Sequence, residues 1–290
     1  MNTWRLLYTP PSRGAWNMAV DESIVEHIHR GESLPTLRLY AWEPACLSLG
    51  HAQSFADVDM ARLKANGWEV VRRVTGGRAI LHTDELTYSV TGSADEPVLA
   101  GGVLESYNRL AQALLFAMRE LGLPVEIKED GSRYALREGR SGLLDRQINT
   151  NPVCFEVPSS YEITVDGKKL IGSAQARKKE GVLQHGSLPL TGDLTRICQA
   201  LVFKDEAARE TAAQRLLAHA ATTSTVLSTS VESTLGVETD WETAAQAFVK
   251  GFEAQLGIHF QREEMSRSES KRAEGLVKEK YANPAWTERI

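Results

Sequence analysis

The stretch Arg72-Arg73-Val74-Thr75-Gly76-Gly77-Arg78-Ala79-Ile80-Leu81-His82 closes one run of strand-forming residues and opens a loop at two adjacent glycines. Glycine lets backbone N–H groups come close to a ligand, and flanking arginines supply charge for a carboxylate or phosphate. The same text also fits an ordinary hairpin turn with solvated arginines, because paired glycines are common in turns. Its neighbours decide what kind of fold it sits in. Thr36–Trp42, Cys46–Leu49 and Glu69–Val74 on one side, and Leu86–Val90 on the other, are short runs rich in β-formers separated by turn-type residues.

Further out the period changes. Trp16, Val20, Ile24 and Ile28 recur four apart among polar residues with Gly31 behind them, which predicts an amphipathic helix over 15–30. A second helix over 103–121 aligns Tyr107, Leu110, Leu114, Met118 and Leu121 and stops before Gly122 and Pro124. Tyr161, Ile163 and Val165 alternate with polar residues up to Asp166-Gly167, and the chain resumes with Leu170 and Ile171, a hairpin signal. Residues 129–152 carry Gly131, Gly139, Gly142, Pro152 and many charges without a period, which reads as a long loop of the kind that tends to be functional. From about 193 the pattern is mainly helical, with Trp241, Ala245, Phe248, Phe252 and Leu256 on one face of 240–256 and a charged helix over 265–281. Strands mixed with helices and hairpin pairing predict the α+β class, with a mixed, largely antiparallel sheet and packed helices. No repeat or linker divides the chain, so 1–290 reads as one domain, its core at about 33–250 and a helical extension at about 255–290.

The composition allows this. The chain has 290 residues, 42% hydrophobic and 24% charged, and 33 basic against 38 acidic side chains give a net charge of −5. That balance advertises neither a nucleic-acid nor a membrane surface. Three cysteines, Cys46, Cys154 and Cys198, fit a reducing compartment better than a disulfide framework. Met1–Tyr8 lacks the basic-then-apolar run of a signal peptide, and no segment approaches the roughly 18 apolar residues of a membrane span. A cytoplasmic location is the expectation.

Two further segments can carry chemistry. Asn151-Pro152-Val153-Cys154-Phe155-Glu156 places a thiol just after the 129–152 loop. A cysteine of ordinary pKa, about 8.5, is mostly protonated at neutral pH unless a cation favours the thiolate, and a lone cysteine is most often a packed apolar residue. Lys168-Lys169-Leu170-Ile171-Gly172-Ser173-Ala174-Gln175 offers such a cation, because successive strand residues face opposite ways and one of the two lysines, Lys169, should face inward. In isolation the pair reads as two exposed lysines beside a turn. His185, in Gln184-His185-Gly186-Ser187, is a candidate base, although a lone histidine near a strand is more often structural. Cys46 and Cys198 receive no catalytic role.

Together these segments resemble the biotin and lipoate protein ligase superfamily, and within it the LipM-type octanoyltransferases of bacteria. The matching text is Arg72 to His82, then Asp84-Glu85-Leu86-Thr87-Tyr88-Ser89-Val90, Val153-Cys154-Phe155, Gly167 through Gln175, and Leu183-Gln184-His185-Gly186-Ser187. The resemblance runs from about residue 4 to about 285 and weakens over 129–150 and 205–240. It implies the catalytic domain shared with biotin ligases and class II aminoacyl-tRNA synthetases. It also implies Cys154 as acyl-carrying nucleophile and Lys169 as its partner. Substrate binding is implied for Arg73, Thr75, Gly76, Gly77, Arg78, Ala79 and His82, and for Gly172, Ser173, Ala174, His185 and Gly186. Biotin ligases usually carry a Gly-Arg-Gly-Arg type segment where this chain reads Thr75-Gly76-Gly77-Arg78, which argues against biotin.

The implied reaction moves an octanoyl group from acyl carrier protein through a Cys154 thioester to a lysine of a lipoyl-domain protein such as the glycine cleavage H protein. A carrier thioester is already activated, so no ATP, other cofactor or metal is required. The ammonium of Lys169 favours the thiolate, and His82, His185 or the departing carrier thiolate can take the amine proton. Arg72, Arg73, Arg78, Lys168, Arg177, Lys178 and Lys179 form a local basic excess suited to an acidic carrier. The rival readings are an ATP-dependent lipoate ligase, an amidotransferase between lipoyl-domain proteins, a non-catalytic acyl-binding module and a cysteine–histidine hydrolase.

Overall fold

The computed structural model describes residues 2–128, 162–223 and 239–290. In chain order the elements that position the site are β1 (Asn2–Tyr8), α1 (Gly14–His29), β2 (Thr36–Tyr40), β3 (Cys46–Leu49), α2 (Met60–Ala65), β4 (Glu69–Arg72), β5 (Ile80–His82), β6 (Glu85–Gly92) and α3 (Val103–Glu120). They continue with β7 (Glu126–Lys128), β8 (Glu162–Val165), β9 (Lys168–Lys178), β10 (Gly181–Pro189), α4 (Glu206–His219), α5 (Trp241–Leu256), β11 (Ile258–Arg262) and α6 (Arg267–Leu276).

Eight strands form the main sheet in the order β11-β1-β2-β6-β10-β9-β8-β7. Its two parallel pairs, β11–β1 and β1–β2, lie at one end, and the other five pairs are antiparallel, as the α+β reading expects. One face is covered by α3 and α5. Phe248 and Phe252, both fully buried, reach across to Tyr88 of β6 with ring centroids 5.7 and 6.3 Å away. Gly251 allows the two helices to approach this closely, since a Cβ there would stand 2.5 Å from the Ala113 carbonyl oxygen. The opposite face carries α1, over which α6 lies.

That second layer explains a difference from the simple amphipathic reading of α1. Its polar residues Asn17, Asp21 and Ser23 are buried along with Val20 and Ile24, because one side of the helix meets the sheet and the other meets α6. Ser23 Oγ donates to the Glu269 carbonyl at 2.9 Å. The Glu269 carboxylate in turn accepts from Arg5 Nη1 at 2.9 Å and Nη2 at 2.6 Å, which ties β1 to α6. A smaller sheet, β4-β3-β5, stands beside the main one and packs against Ile197, Cys198, Leu201 and Leu216. The chain passes between the two sheets at 40–46 and again at 82–85, and the 72–82 stretch connects β4 to β5 within the smaller one. Asp166 and Gly167 turn the β8–β9 hairpin with φ of 49° and 74°. The 129–152 segment lies outside the described residues.

Candidate active site

The glycine-rich turn is shaped from below by its own arginines. Arg73 is 3% exposed. Its Nη1 donates to Ser48 O at 2.9 Å and Ser48 Oγ at 3.1 Å, and its Nη2 donates to Gly76 O and Arg78 O, each at 2.8 Å. Arg72, fully buried, donates from Nε to Thr287 O at 2.9 Å and from Nη1 to Gly50 O at 2.9 Å and Gln53 O at 2.5 Å. A guanidinium has five donors and no acceptor, so inside a protein it gathers carbonyls. Arg72 and Arg73 are thus internal braces and do not belong to an exposed basic docking surface. Lys178 and Lys179 are exposed. Gly77 takes φ +93°, and it passes so close to β3 that a Cβ on Gly50 would stand 1.9 Å from its carbonyl oxygen.

The turn roofs a narrow cleft whose lining includes Arg73, Gly77 and His82 from this segment and Gly172, Ser173, Ala174, His185 and Gly186 from β9 and β10. The remaining expected residues are not part of this lining: Gly76 is exposed and Arg78 half-buried. Thr75 and Ala79 are fully buried, and Thr75 Oγ1 lies 2.7 Å from His185 Nε2. Gly186 is required where it stands, since a Cβ there would meet Ser173 Oγ at 2.5 Å and Gly172 O at 2.7 Å.

Two histidines face the cleft, each backed by a carboxylate. His82 Nδ1 lies 2.7 Å from Glu85 Oε1 and its Nε2 lies 2.8 Å from Ser48 Oγ. The Trp42 ring stacks on it at 3.9 Å, tilted by 6°. Trp42 Nε1 donates to Thr87 Oγ1 at 2.7 Å, and Thr87 donates onward to Glu85. His185 Nδ1 stands 3.7 Å from Asp21 Oδ2, too far for a hydrogen bond. Asp21 accepts instead from Arg38 Nη1 and Ser89 Oγ, both at 2.8 Å, and from Tyr40 OH at 3.2 Å. Burial by itself raises the Asp21 pKa, but Arg38 and His185 outweigh it and hold the carboxyl below its ordinary value. Burial pushes the His185 pKa down.

Lys169 is 6% exposed and Lys168 is half-buried. Simple alternation would put Lys169 on the same face as Ile171, in the core against α3 and α5. The register says otherwise. Ile163 pairs with Ile171 and the next residue, Thr164, pairs with Lys169, so Leu170 is an extra residue in β9. Paired residues share a face, which places Lys169 opposite Ile171 and on the same face as Gly172, the cleft face. Cys154 lies outside the described residues.

Several cleft residues were given no role from the sequence: Ser48 and Trp42 line it, as do Thr87 and Ser187 from within the matching text, and Asp21 stands behind it on α1. The Ser187 hydroxyl is buried with no hydrogen-bond partner among the described residues, and so presents an unsatisfied polar atom to an occupant of the cleft. Glu85 was legible in outline, three residues beyond His82.

Residues 13–253 match the family model for the lipoyl protein ligase A/B catalytic domain. The chain is 41% identical over 291 aligned positions to the octanoyltransferase LipM of Moorella thermoacetica, covering 99% of this chain and 98% of that one. It is 38% identical to the octanoyltransferase LipM of Kyrpidia tusciae over the full length of both. Among solved structures, a bi-partite lipoate protein ligase of Thermoplasma acidophilum superposes with a TM-score of 0.75 at 23% identity, covering 99% of this chain and 97% of that one. A lipoate-protein ligase A bound with ATP superposes with a TM-score of 0.73 over 99% of each chain, also at 23% identity. These structural likenesses extend to the fold.

Proposed function

The chain belongs to the lipoyl protein ligase A/B catalytic-domain family, and from that membership we propose that it is an octanoyltransferase of lipoate biosynthesis. The observation that carries this reading is its likeness over essentially the whole chain to octanoyltransferases of this family. The acceptor is a lysine of a lipoyl-domain protein, of which the glycine cleavage H protein is the candidate, and the donor is octanoyl-acyl carrier protein. Residues 1–290 act as one catalytic unit. Among the described residues no helix is long and apolar enough to cross a membrane.

Cys154 attacks the carrier thioester and takes the octanoyl group, and the acceptor amine then displaces it. The position of Lys169, buried on the cleft face of β9, supports a role in stabilising the thiolate. Met18, Trp42 and Ile80 give the cleft an apolar lining for the acyl chain, while the Ser187 hydroxyl and the backbone at Gly77 and Gly172 are placed to meet its carbonyl. Any docking of an acidic carrier falls to exposed groups such as Lys178 and Lys179.

The test offers the full-length protein octanoyl-acyl carrier protein and glycine cleavage H protein in the absence of nucleotide, with acceptor mass as the readout. Octanoylation without ATP, abolished by Cys154→Ala, is expected. Octanoylation that appears only when free octanoate and ATP are supplied would replace the transferase with a ligase.

A further inference from the structure

We propose that Ser48, His82 and Glu85 form the relay that accepts the proton released by the attacking lysine, with Glu85 as its positioning residue. The proposal rests on the octanoyl-transfer reading and assigns a step that reading leaves open. Lysine arrives as an ammonium with three N–H protons and leaves as an amide with one. When the C–N bond forms and the C–S bond breaks, one proton returns to the Cys154 sulfur and the other must go to a base.

Hydrogen-bond polarity on the cleft wall singles out that base. Arg73 Nη1 donates to Ser48 Oγ at 3.1 Å and can accept nothing in return. Ser48 must therefore either donate its own proton to His82 Nε2 at 2.8 Å or accept one from it. On the other side of the ring, the Glu85 carboxylate at 2.7 Å from Nδ1 keeps a proton on that nitrogen. The chain then has two complete arrangements that differ by one proton. In the first, neutral His82 accepts from Ser48. In the second, doubly protonated His82 donates to both Ser48 and Glu85, and the Ser48 hydroxyl proton turns toward the cleft. Moving from the first to the second takes up one proton at Ser48 Oγ and passes one to His82 Nε2.

The surroundings suit the charged arrangement. Among the described residues the hydrogen bonds of the Glu85 carboxylate come from His82 and Thr87 and from no arginine or lysine, so it faces the imidazole directly. The stacked face of Trp42, at 3.9 Å, favours a cation. His185 differs in its carboxylate. Its carboxylate, Asp21, is already paired with Arg38 at 2.8 Å and stands 3.7 Å from the ring.

The experiment separates the two half-reactions. Full-length wild type, Glu85→Gln, His82→Gln and Ser48→Ala are charged with octanoyl-acyl carrier protein, and the Cys154 thioester is quantified by intact mass. Each acyl-enzyme is then discharged with glycine cleavage H protein or with hydroxylamine, an amine already neutral at pH 7 whose acylation releases no proton beyond the one returned to sulfur. The expected result, per thioester formed, is a ratio of lysine to hydroxylamine discharge rates that falls about 10²- to 10⁴-fold below the wild-type ratio, with the KM for glycine cleavage H protein unchanged. Equal slowing with both amines would make the three residues structural and overturn the relay, as would unimpaired lysine discharge. If Glu85→Gln or His82→Gln does not fold, as judged by its melting curve, Ser48→Ala decides alone, because it leaves the His82–Glu85 pair in place. Absence of a Cys154 thioester in the wild type refutes the transfer reading itself and the relay with it.

Discussion

Gly50→Ala isolates the contact on which the cleft roof depends. A Cβ at position 50 would stand 1.9 Å from the Gly77 carbonyl oxygen, and ordinary contact begins at 3.4 Å, so the two must separate by at least 1.5 Å (3.4 − 1.9). Gly50 cannot readily yield, because its carbonyl is held by buried Arg72 at 2.9 Å. The turn must therefore lift, against Arg73's hold on Gly76 and Arg78. Overpacking of this kind costs about 1–3 kcal/mol of stability. The larger effect falls on activity, since displacing cleft-lining groups by about 1 Å can cost 10²-fold, equivalent to about 2.7 kcal/mol of transition-state stabilisation. The assay is kcat/KM for nucleotide-free octanoyl transfer alongside a melting curve. Gly31→Ala is the control. Gly31 has φ +73° with nothing within 4 Å of a built Cβ, so alanine there should lower the melting temperature and leave transfer intact. Activity of Gly50→Ala within a few fold of wild type would refute the argument that this contact sets the roof.

Three other expectations follow from the same geometry. Glu269→Ala should cost about 3–5 kcal/mol in chemical denaturation, because it strands buried Arg5 without its carboxylate. Burial raises the Glu269 pKa, but Arg5, the Ser266 N–H and Ser33 bring it down to about 2, so its contribution is full above the unfolded-state value of about 4.3 and is lost as pH falls toward about 2. Melting temperature should drop over that window in wild type and less steeply in Glu269→Gln. Native alkylation with iodoacetamide should modify one of the three cysteines, Cys154, because Cys46 and Cys198 are buried and burial pushes the Cys46 thiol well up; Lys169→Ala should shift the alkylation midpoint to higher pH, and an unchanged midpoint would remove Lys169 from thiol activation. Phe248→Ala should cost about 3–5 kcal/mol with little change in the acyl-enzyme chemistry, since its ring fills the α3–α5 core rather than the cleft.

Local patterns in the sequence led to the elements whose stability is locally encoded. The period of α5, its Asp240 cap and its left-handed Gly257 stop can all be read from one window, and so can the Asp166-Gly167 turn. The strands β1 and β11 could not be read that way. They pair with each other in parallel register, Asn2 with Ile258 through Leu6 with Arg262, across more than 250 residues of chain, so neither short run announces its partner. The helical reading of 255–290 consequently did not place the strand Ile258–Arg262 within it. The polar residues of α1 passed for a solvent face because nothing near them in sequence marks the arrival of α6.

The same distinction separates the parts of the site. Gly77, His82, Gly172 and His185 sit in compact text where residue type and spacing already suggest a ligand. The residues that set what those groups can do lie elsewhere: Ser48 on β3, Asp21 on α1 and Arg38 on β2. Charge counting misled most for Arg72 and Arg73, because a sequence records that an arginine is cationic but not whether its five donors meet phosphate, carboxylate or the chain's own carbonyls. Here they meet carbonyls, and this gives the pair a different purpose from electrostatic steering. Arg73 can only donate to Ser48, so any proton that Ser48 exchanges within the Ser48–His82–Glu85 chain passes to or from His82. An arginine in this position thus bears on proton transfer without itself exchanging a proton, and a lysine could not supply the same four bonds to Ser48, Gly76 and Arg78 at once.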